Sequence, residues 1–358
     1  MSAHELLIAI MAIFAVFGAI DRIAGNRLGL GKEFENGIEA MGALALAMLG
    51  IISLAPVLAG LLRPVVVPVF QFLGADPAMF AGSLLACDMG GGPLAMELTD
   101  DPQAGLLGGV ITGSMLGATI VFTIPAAMGI LKPEDRPAMA KGVLCGIVTI
   151  PLGVLVGGIT AGFPIGLVLR NLTPIVVIAA AIAFGLWRAE SAMVRGFTLF
   201  GKGVTAVVTV GLAAAVVESL TGWVIIPGLA PLSEGFETVG TIAIVLAGAF
   251  PLVYTVTRLL KKPLLRLGKL LGINDVAAAG LVATLANSIA TFGMVENMDR
   301  RGKVVNIAFA VSAAFVFGDH LGFAAGFAPE VLPAMIAGKL AGGVSAVGLA
   351  LLLTKEKR

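Results

Sequence analysis

The chain has 358 residues, of which 58% are hydrophobic and 13% charged, with two histidines, two cysteines and a formal net charge of +1. Its mean hydropathy is +1.03, whereas a soluble domain carries about 25% charged residues. That balance excludes a soluble enzyme of ordinary composition; the net charge says nothing about nucleic acid, and no basic tail or low-complexity segment is present.

Apolar stretches of about 20 residues recur along the chain, each long enough for a hydrocarbon core of roughly 30 Å. They predict an all-α polytopic membrane protein, a single transmembrane domain over residues 1–358. The first stretch, 5–20, sits in "MSAHELLIAIMAIFAVFGAIDR". It lacks a basic leader and a convincing small-residue cleavage site, and is expected to be a retained helix. A second stretch spans 38–62. The third, 77–97, opens on the helix-start pair Asp76-Pro77 and is interrupted by "CDMGGGP". The fourth, 104–130, carries glycines at 105, 109, 113 and 117, a small-residue stripe that reads as close helix packing. Stretches follow at 139–161, 172–187, 199–219 and 239–257. The ninth, 276–296, opens on Asn274-Asp275 and is interrupted by "LANSIATFG"; 304–326 and 331–353 complete eleven apolar segments. Cys87 and Cys145 lie within such stretches and read as small buried hydrophobes, so neither a disulfide, a metal nor a cofactor is expected.

Positive charge decides how the two interrupted segments run. As re-entrant hairpins they leave nine full crossings, with the N-terminus outside and the C-terminus inside. All basic residues but Arg63, Arg170 and Lys339 then gather on the inner side, among them Lys261, Lys262, Lys355, Lys357 and Arg358. The two halves also resemble each other. "LGADPAMFAGSLLACD" reappears as "LGINDVAAAGLVATLAN", and Asp21 corresponds to Glu218. One unit covers about 5–161, a linker helix about 165–196 and a second unit about 197–353. Five crossings separate equivalent points, which predicts two inverted-topology repeats, each with a hairpin.

A charge at mid-membrane costs roughly 2.5–3.5 kcal/mol on insertion scales, so such residues face a cavity or a partner. Asp88 falls in the break of the first hairpin, and Asn287 holds the equivalent place in the second. Asp319 and His320 lie midway along the predicted 304–326 helix, and Lys339 lies inside the last helix. Glu218 and Asp21 sit near helix ends and are expected to reach the interface. The first half-helix of each hairpin would point its C-terminal carbonyls, carrying about half a negative charge, at the centre. With two carboxylates added, the centre suits a small cation or ammonium compound and repels an anion. Other readings stay open: Asp88 as a hairpin cap, Asp319 and Lys339 as a structural ion pair, His320 as an orienting donor. Asp88 and Asp319 could also form an intramembrane aspartyl protease dyad, although "FGDH" lacks the Gly-x-Gly-Asp context of such enzymes.

At "FAGSLLACDMGG", "GLVATLAN" and "VSAAFVFGDHLGFAAGF" the chain resembles the bacterial ethanolamine permeases of the ethanolamine-utilisation system. The likeness runs from the first helix to the last, through "AMGALALAML", "LAPVLA", "IVFTIPAAMGI" and "GLAAAVV". Gly92-Pro93 departs from it, standing where bulkier aromatic side chains are expected. The resemblance implies uptake of ethanolamine, not an enzyme, in the bacterial inner membrane. Its partners would be a small amine substrate and the lipid bilayer, with no nucleic acid; a homo-oligomer is compatible with it. Ethanolamine has an amine of pKa near that of lysine, about 10, and is cationic at neutral pH. Asp319 would neutralise that charge, and Asp88 and Asn287 would complete the site from the hairpin tips. Thr119, Thr291, Asn287 or His320 would meet the hydroxyl, and Phe317, with Phe315 and Phe323, would offer a cation–π face worth about 0.5–2 kcal/mol. An ion-coupled symporter of another amine or nucleoside-like solute, or a channel-like facilitator, remains the rival reading.

Overall fold

Ser2 and Glu5 start the first helix by capping each other: the Ser2 hydroxyl accepts from Glu5 N–H, and the Glu5 carboxylate accepts from Ser2 N–H at 2.8 Å. The structure, a computed structural model, describes residues 2–354, without the side chains at 260–262, 264, 265 and 267. The charges of Lys261, Lys262, Lys355, Lys357 and Arg358 therefore lie outside the described residues and side chains. Helix α1 spans Ala3–Ile23 and α2 spans Leu30–Phe72. Asp21 joins them. It is buried, and its carboxylate accepts from the N–H groups of Leu28 and Gly31, each at 2.9 Å. The expected interfacial acid is thus a turn cap, because the loop between the two helices folds back over it.

At 43 residues, α2 far outruns the predicted 38–62 segment. Its interior Pro56, Pro64 and Pro68 do not stop it. One turn before Pro56, the carbonyl of Ser53 takes the N–H of Ala230 at 2.9 Å, while the carbonyl that Pro56 itself leaves without a donor is that of Ile52. The first hairpin is built of α3, Ala78–Leu84, and α4, Gly91–Leu98, with a single 3₁₀ turn at Cys87–Met89 between them.

This hairpin lies on α5, Pro102–Ile130, whose glycine stripe is its bed. A Cβ on Gly117 would sit 1.9 Å from the carbonyl oxygen of Leu85, and one on Gly113 3.1 Å from the N–H of Cys87. One on Gly109 would sit 2.7 Å from the Ala95 methyl group. From the hairpin's side, a Cβ on Gly82 would meet the Gly108 carbonyl at 1.8 Å. Along the contact α5 is widened into π-helix over Leu107–Gly117 and Thr119–Thr123, a rare geometry that frequently marks function.

Helix α6, Arg136–Thr160, packs on α13, Leu332–Leu353, through facing glycines. A Cβ on Gly153 would be 2.8 Å from the Gly338 carbonyl, and one on Gly338 2.7 Å from the Gly153 carbonyl. Between these helices, α7 runs over Ile165–Thr221 but is divided at Ala189, where φ is −146° and ψ 48°. Helix α8, Leu232–Leu271, packs along α2.

The second hairpin comprises α9, Asp275–Ala286, capped by Asn274, and α10, Ser288–Met294. Next come α11, Arg300–Ala313, and α12, Asp319–Phe327. The predicted continuous 304–326 helix is broken at 314–318. The reason is tertiary: Phe315 N–H donates to Thr284 O at 3.2 Å and Phe317 N–H to Leu285 O at 2.9 Å. A Cβ on Gly318 would lie 2.2 Å from the Ala286 carbonyl, so only glycine fits that crossing. The described residues contain seven helices long and apolar enough to cross a membrane and no strand; the chain is an integral membrane protein of all-helical class.

Candidate functional site

Three departures from regular α-helix meet at one place: the 3₁₀ turn of the first hairpin, the widened stretch of α5 and the break before α12. Each frees polar groups that an unbroken helix would bond internally, and α13 adds a lysine to them. Asp88 comes from the turn, and Asp319 and His320 open α12. The Nε2 of His320 lies 3.7 Å from Asp88 Oδ1. Its Nδ1 lies 3.0 Å from Lys339 Nζ, and Lys339 also donates to the carbonyl of Ser114 in the widened stretch at 2.5 Å. The thiol of Cys87 completes the group, within 4.8 Å of the Asp88 and His320 polar atoms.

The protonation pattern follows from the partners. An ammonium only donates, so with Lys339 charged the Nδ1 of His320 accepts and its ring proton sits on Nε2, facing Asp88. Asp319 and Lys339 both act electrostatically on Asp88, so charge is shared across segments from both halves of the chain. His320 is 4% exposed and Lys339 1%, whereas Asp88 and Asp319 keep partial exposure. The acids are the accessible members of the cluster.

Phe315 walls the cluster from the break. Its φ of 62° is a left-handed conformation costing a side-chain-bearing residue roughly 1–2 kcal/mol. It places the ring 5.3 Å from the His320 ring and edge-on to Phe122, also at 5.3 Å between centroids. Phe323 fills the opposite side, its ring 2.6 Å from where a Gly92 Cβ would stand. That ring occupies the volume for which a bulkier residue at position 92 was expected.

Of the residues singled out from the sequence, the structure gathers Asp88, Asp319, His320 and Lys339. The Asp319–Lys339 ion pair is not formed: among the described residues no carboxylate lies within 4.0 Å of Lys339. The break re-aims α12, so that His320 meets α13 instead. Thr119 is held by two carbonyls, Met115 at 2.7 Å and Val311 at 3.0 Å, and ties α5 to α11. Thr291 bonds Thr284 at 2.8 Å and the Gly280 carbonyl at 3.0 Å, closing the second hairpin. Asn287 is exposed at that hairpin's corner, where its side-chain oxygen accepts from Ile289 N–H. Phe317 lines an apolar pocket with Leu7, Met11, Leu285 and Leu321. Glu218 borders a separate polar pocket with Ser219, Ala230 and Ser233. Some of the carbonyls at the two breaks are taken by backbone donors. Thr284 and Leu285 take the N–H groups of the α12 break, and Ala86 takes those of Met89 and Gly91. The Ser114 carbonyl was missed, because a carbonyl carries no sequence signal; Cys87, read as a small buried hydrophobe, is a buried free cysteine.

Residues 3–353 match the family described as "Ethanolamine utilisation protein, EutH". A protein of Listeria monocytogenes named "Probable ethanolamine permease EutH" is 59% identical, over 99% of this chain and 95% of its own. Proteins of the same name from Salmonella typhimurium and Escherichia coli are 49% and 48% identical, covering 99% and 100% of this chain and 97% of theirs. No solved structure matches the chain.

Proposed function

The chain belongs to the EutH family of ethanolamine utilisation proteins, membrane proteins with a transporter role, and from that premise we propose that it takes up ethanolamine, bound as its ammonium between Asp88 and Asp319. The observation that carries this reading is a partly exposed acid, Asp88, beside a buried His–Lys pair, with a second partly exposed acid, Asp319, opening the helix that brings His320 there. A carboxylate accepts from an ammonium in a charge-assisted bond about twice as strong as a neutral one. The Nε2–H of His320 points at the same place and is free to meet the substrate hydroxyl. The relatives carry permease names, which favours a carrier over a protease dyad.

The carrier works by alternating access. The order of helix, long helix, hairpin, interrupted helix and helix occurs from α1 to α6 and again from the second part of α7 to α13. This order supports two inverted repeats. Counting α7 as two crossings and α11–α12 as one gives nine, the number that positive charge favours. Contacts at one end of the helices agree with that orientation: Lys132 pairs with Glu296, Lys303 with Asp135 at 2.5 Å, and Lys141 reaches the Leu353 carbonyl at 2.7 Å. On this reading that end faces the cytoplasm, with the N-terminus periplasmic and the C-terminus cytoplasmic in a bacterial inner membrane. The hydrogen bond to Glu296 raises the pKa of Lys132, keeping that end cationic.

Labelled ethanolamine uptake into proteoliposomes tests the assignment. Asp88→Asn and Asp319→Asn should each slow uptake at least about 10-fold, since a bond to a charged group contributes about 1.5–3 kcal/mol. Wild-type rates in both variants would remove the site.

A further inference from the structure

Among the described residues Lys339 is the only buried lysine or arginine, 1% exposed. An ammonium in that position would ordinarily be neutralised by a carboxylate in contact. Here its partners are a carbonyl oxygen at 2.5 Å and an imidazole nitrogen at 3.0 Å, both uncharged. Its countercharge is instead Asp88, on which Asp319 acts in turn, and the partial exposure of both acids leaves them open to something else. The ionisable groups facing one another are Cys87 and Asp88 from the first hairpin, Asp319 and His320 from α12, and Lys339. Residues 102–130 contain no charged side chain, and those of α6 and α11 are confined to their first two turns. The charges of α2 lie in its first three turns, apart from Arg63, which bonds the Glu97 carbonyl at 2.6 Å, and those of α8 lie in its first two turns and from Arg258 onward.

Two carboxylates, one ammonium and a neutral imidazole leave the site with one negative charge too many. A net charge carried through the hydrocarbon centre is costly, so a site closed to both sides holds one more positive charge. Ethanolammonium supplies it in the loaded carrier, and a single proton supplies it in the empty one. We propose that Lys339 is a fixed counter-ion that limits the site to one mobile positive charge, so that each ethanolammonium carried is exchanged for one proton. The proton forms an O–H bond on Asp88, beside His320 Nε2. That bond breaks as the incoming ammonium takes over the carboxylate, and the proton leaves to water on the side then open. No net charge crosses. Without Lys339, the same two acids would accept two positive charges.

The inference rests on the ethanolamine reading above, and one experiment separates the two. Proteoliposomes are clamped with potassium and valinomycin at 0 and −100 mV, and labelled ethanolamine accumulation is measured at equal pH, with protein-free vesicles subtracted. Wild-type accumulation should be the same at both potentials. A carrier moving the cation alone would accumulate it about 50-fold more at −100 mV, from about 2.3 kcal/mol per charge per 100 mV, and that result would overturn the exchange. Absence of ethanolamine uptake altogether would instead remove the substrate reading. In a second arm, 1,3-diaminopropane competes with uptake. It should inhibit Lys339→Met at least 10-fold more strongly than wild type, and equal inhibition would overturn the counter-ion role. Should Lys339→Met fail to fold, the wild-type voltage measurement still decides the exchange.

Discussion

The two hairpins occupy the same place in the chain order yet differ in charge and cover. The first ends on Asp88 and is pressed against α5 so closely that backbone touches backbone, as at Gly82 with Gly108 and Gly117 with Leu85. The second turns on Asn287, neutral and exposed, with Ile289 beside it 44% exposed. Its inner polar groups, Thr284 and Thr291, are spent on each other and on the Gly280 carbonyl. A carboxylate that must accept a ligand without moving needs a rigid seat, and the glycine bed supplies one. A neutral turn that only receives the α12 break needs less. Charge and close packing belong to one hairpin, and exposure to the other.

The largest effect should come from moving the charge between them. Asp88→Asn combined with Asn287→Asp keeps the net charge but places the acid on the exposed hairpin. Uptake should stay at least about 10-fold below wild type, because a bond to a charged group contributes about 1.5–3 kcal/mol only where the ligand sits. Restored uptake would make the hairpins interchangeable. Packing should separate them next. Gly82→Ala puts a methyl group 1.8 Å from a carbonyl oxygen and should destabilise by about 1–3 kcal/mol, read as a lowered melting temperature in detergent. Gly293→Ala, in the second hairpin, meets nothing within 4 Å and should be neutral or stabilise by about 0.5–1 kcal/mol through helix propensity. Equal melting shifts would remove the contrast. The smallest effect belongs to Thr291→Val, which loses the hydroxyl pair with Thr284. It should cost about 1 kcal/mol and leave ethanolamine affinity within about twofold; a large loss of affinity would place the substrate hydroxyl at this threonine.

Both hairpins were legible before the structure, because Asp76-Pro77 and Asn274-Asp275 are local start signals and a glycine or asparagine cluster interrupts each segment. The break at 314–318 was not, since it is held open by Thr284 and Leu285, about thirty residues away in the chain. The overrun of α2 past residue 62 was missed for a related reason: Pro64 and Pro68 end helices in water more readily than in lipid. The widening of α5 has no residue signature beyond its glycines. At the site, Asp88, Asp319, His320 and Lys339 stood out as isolated polar residues in apolar runs. Thr119 and Thr291 looked the same, but threonine in a membrane helix can satisfy itself on nearby carbonyls, and only coordinates show that it does. The partners of Lys339, a carbonyl and His320, have no local signature, and the ion pair with Asp319 was only one of the readings left open.

Equilibrium binding of labelled ethanolamine to the purified protein tests the acid pair most directly. One saturable site is predicted, with affinity falling about 10- to 150-fold in Asp88→Asn and in Asp319→Asn, the equivalent of about 1.5–3 kcal/mol. Unchanged affinity in both variants would contradict a carboxylate site for the ammonium.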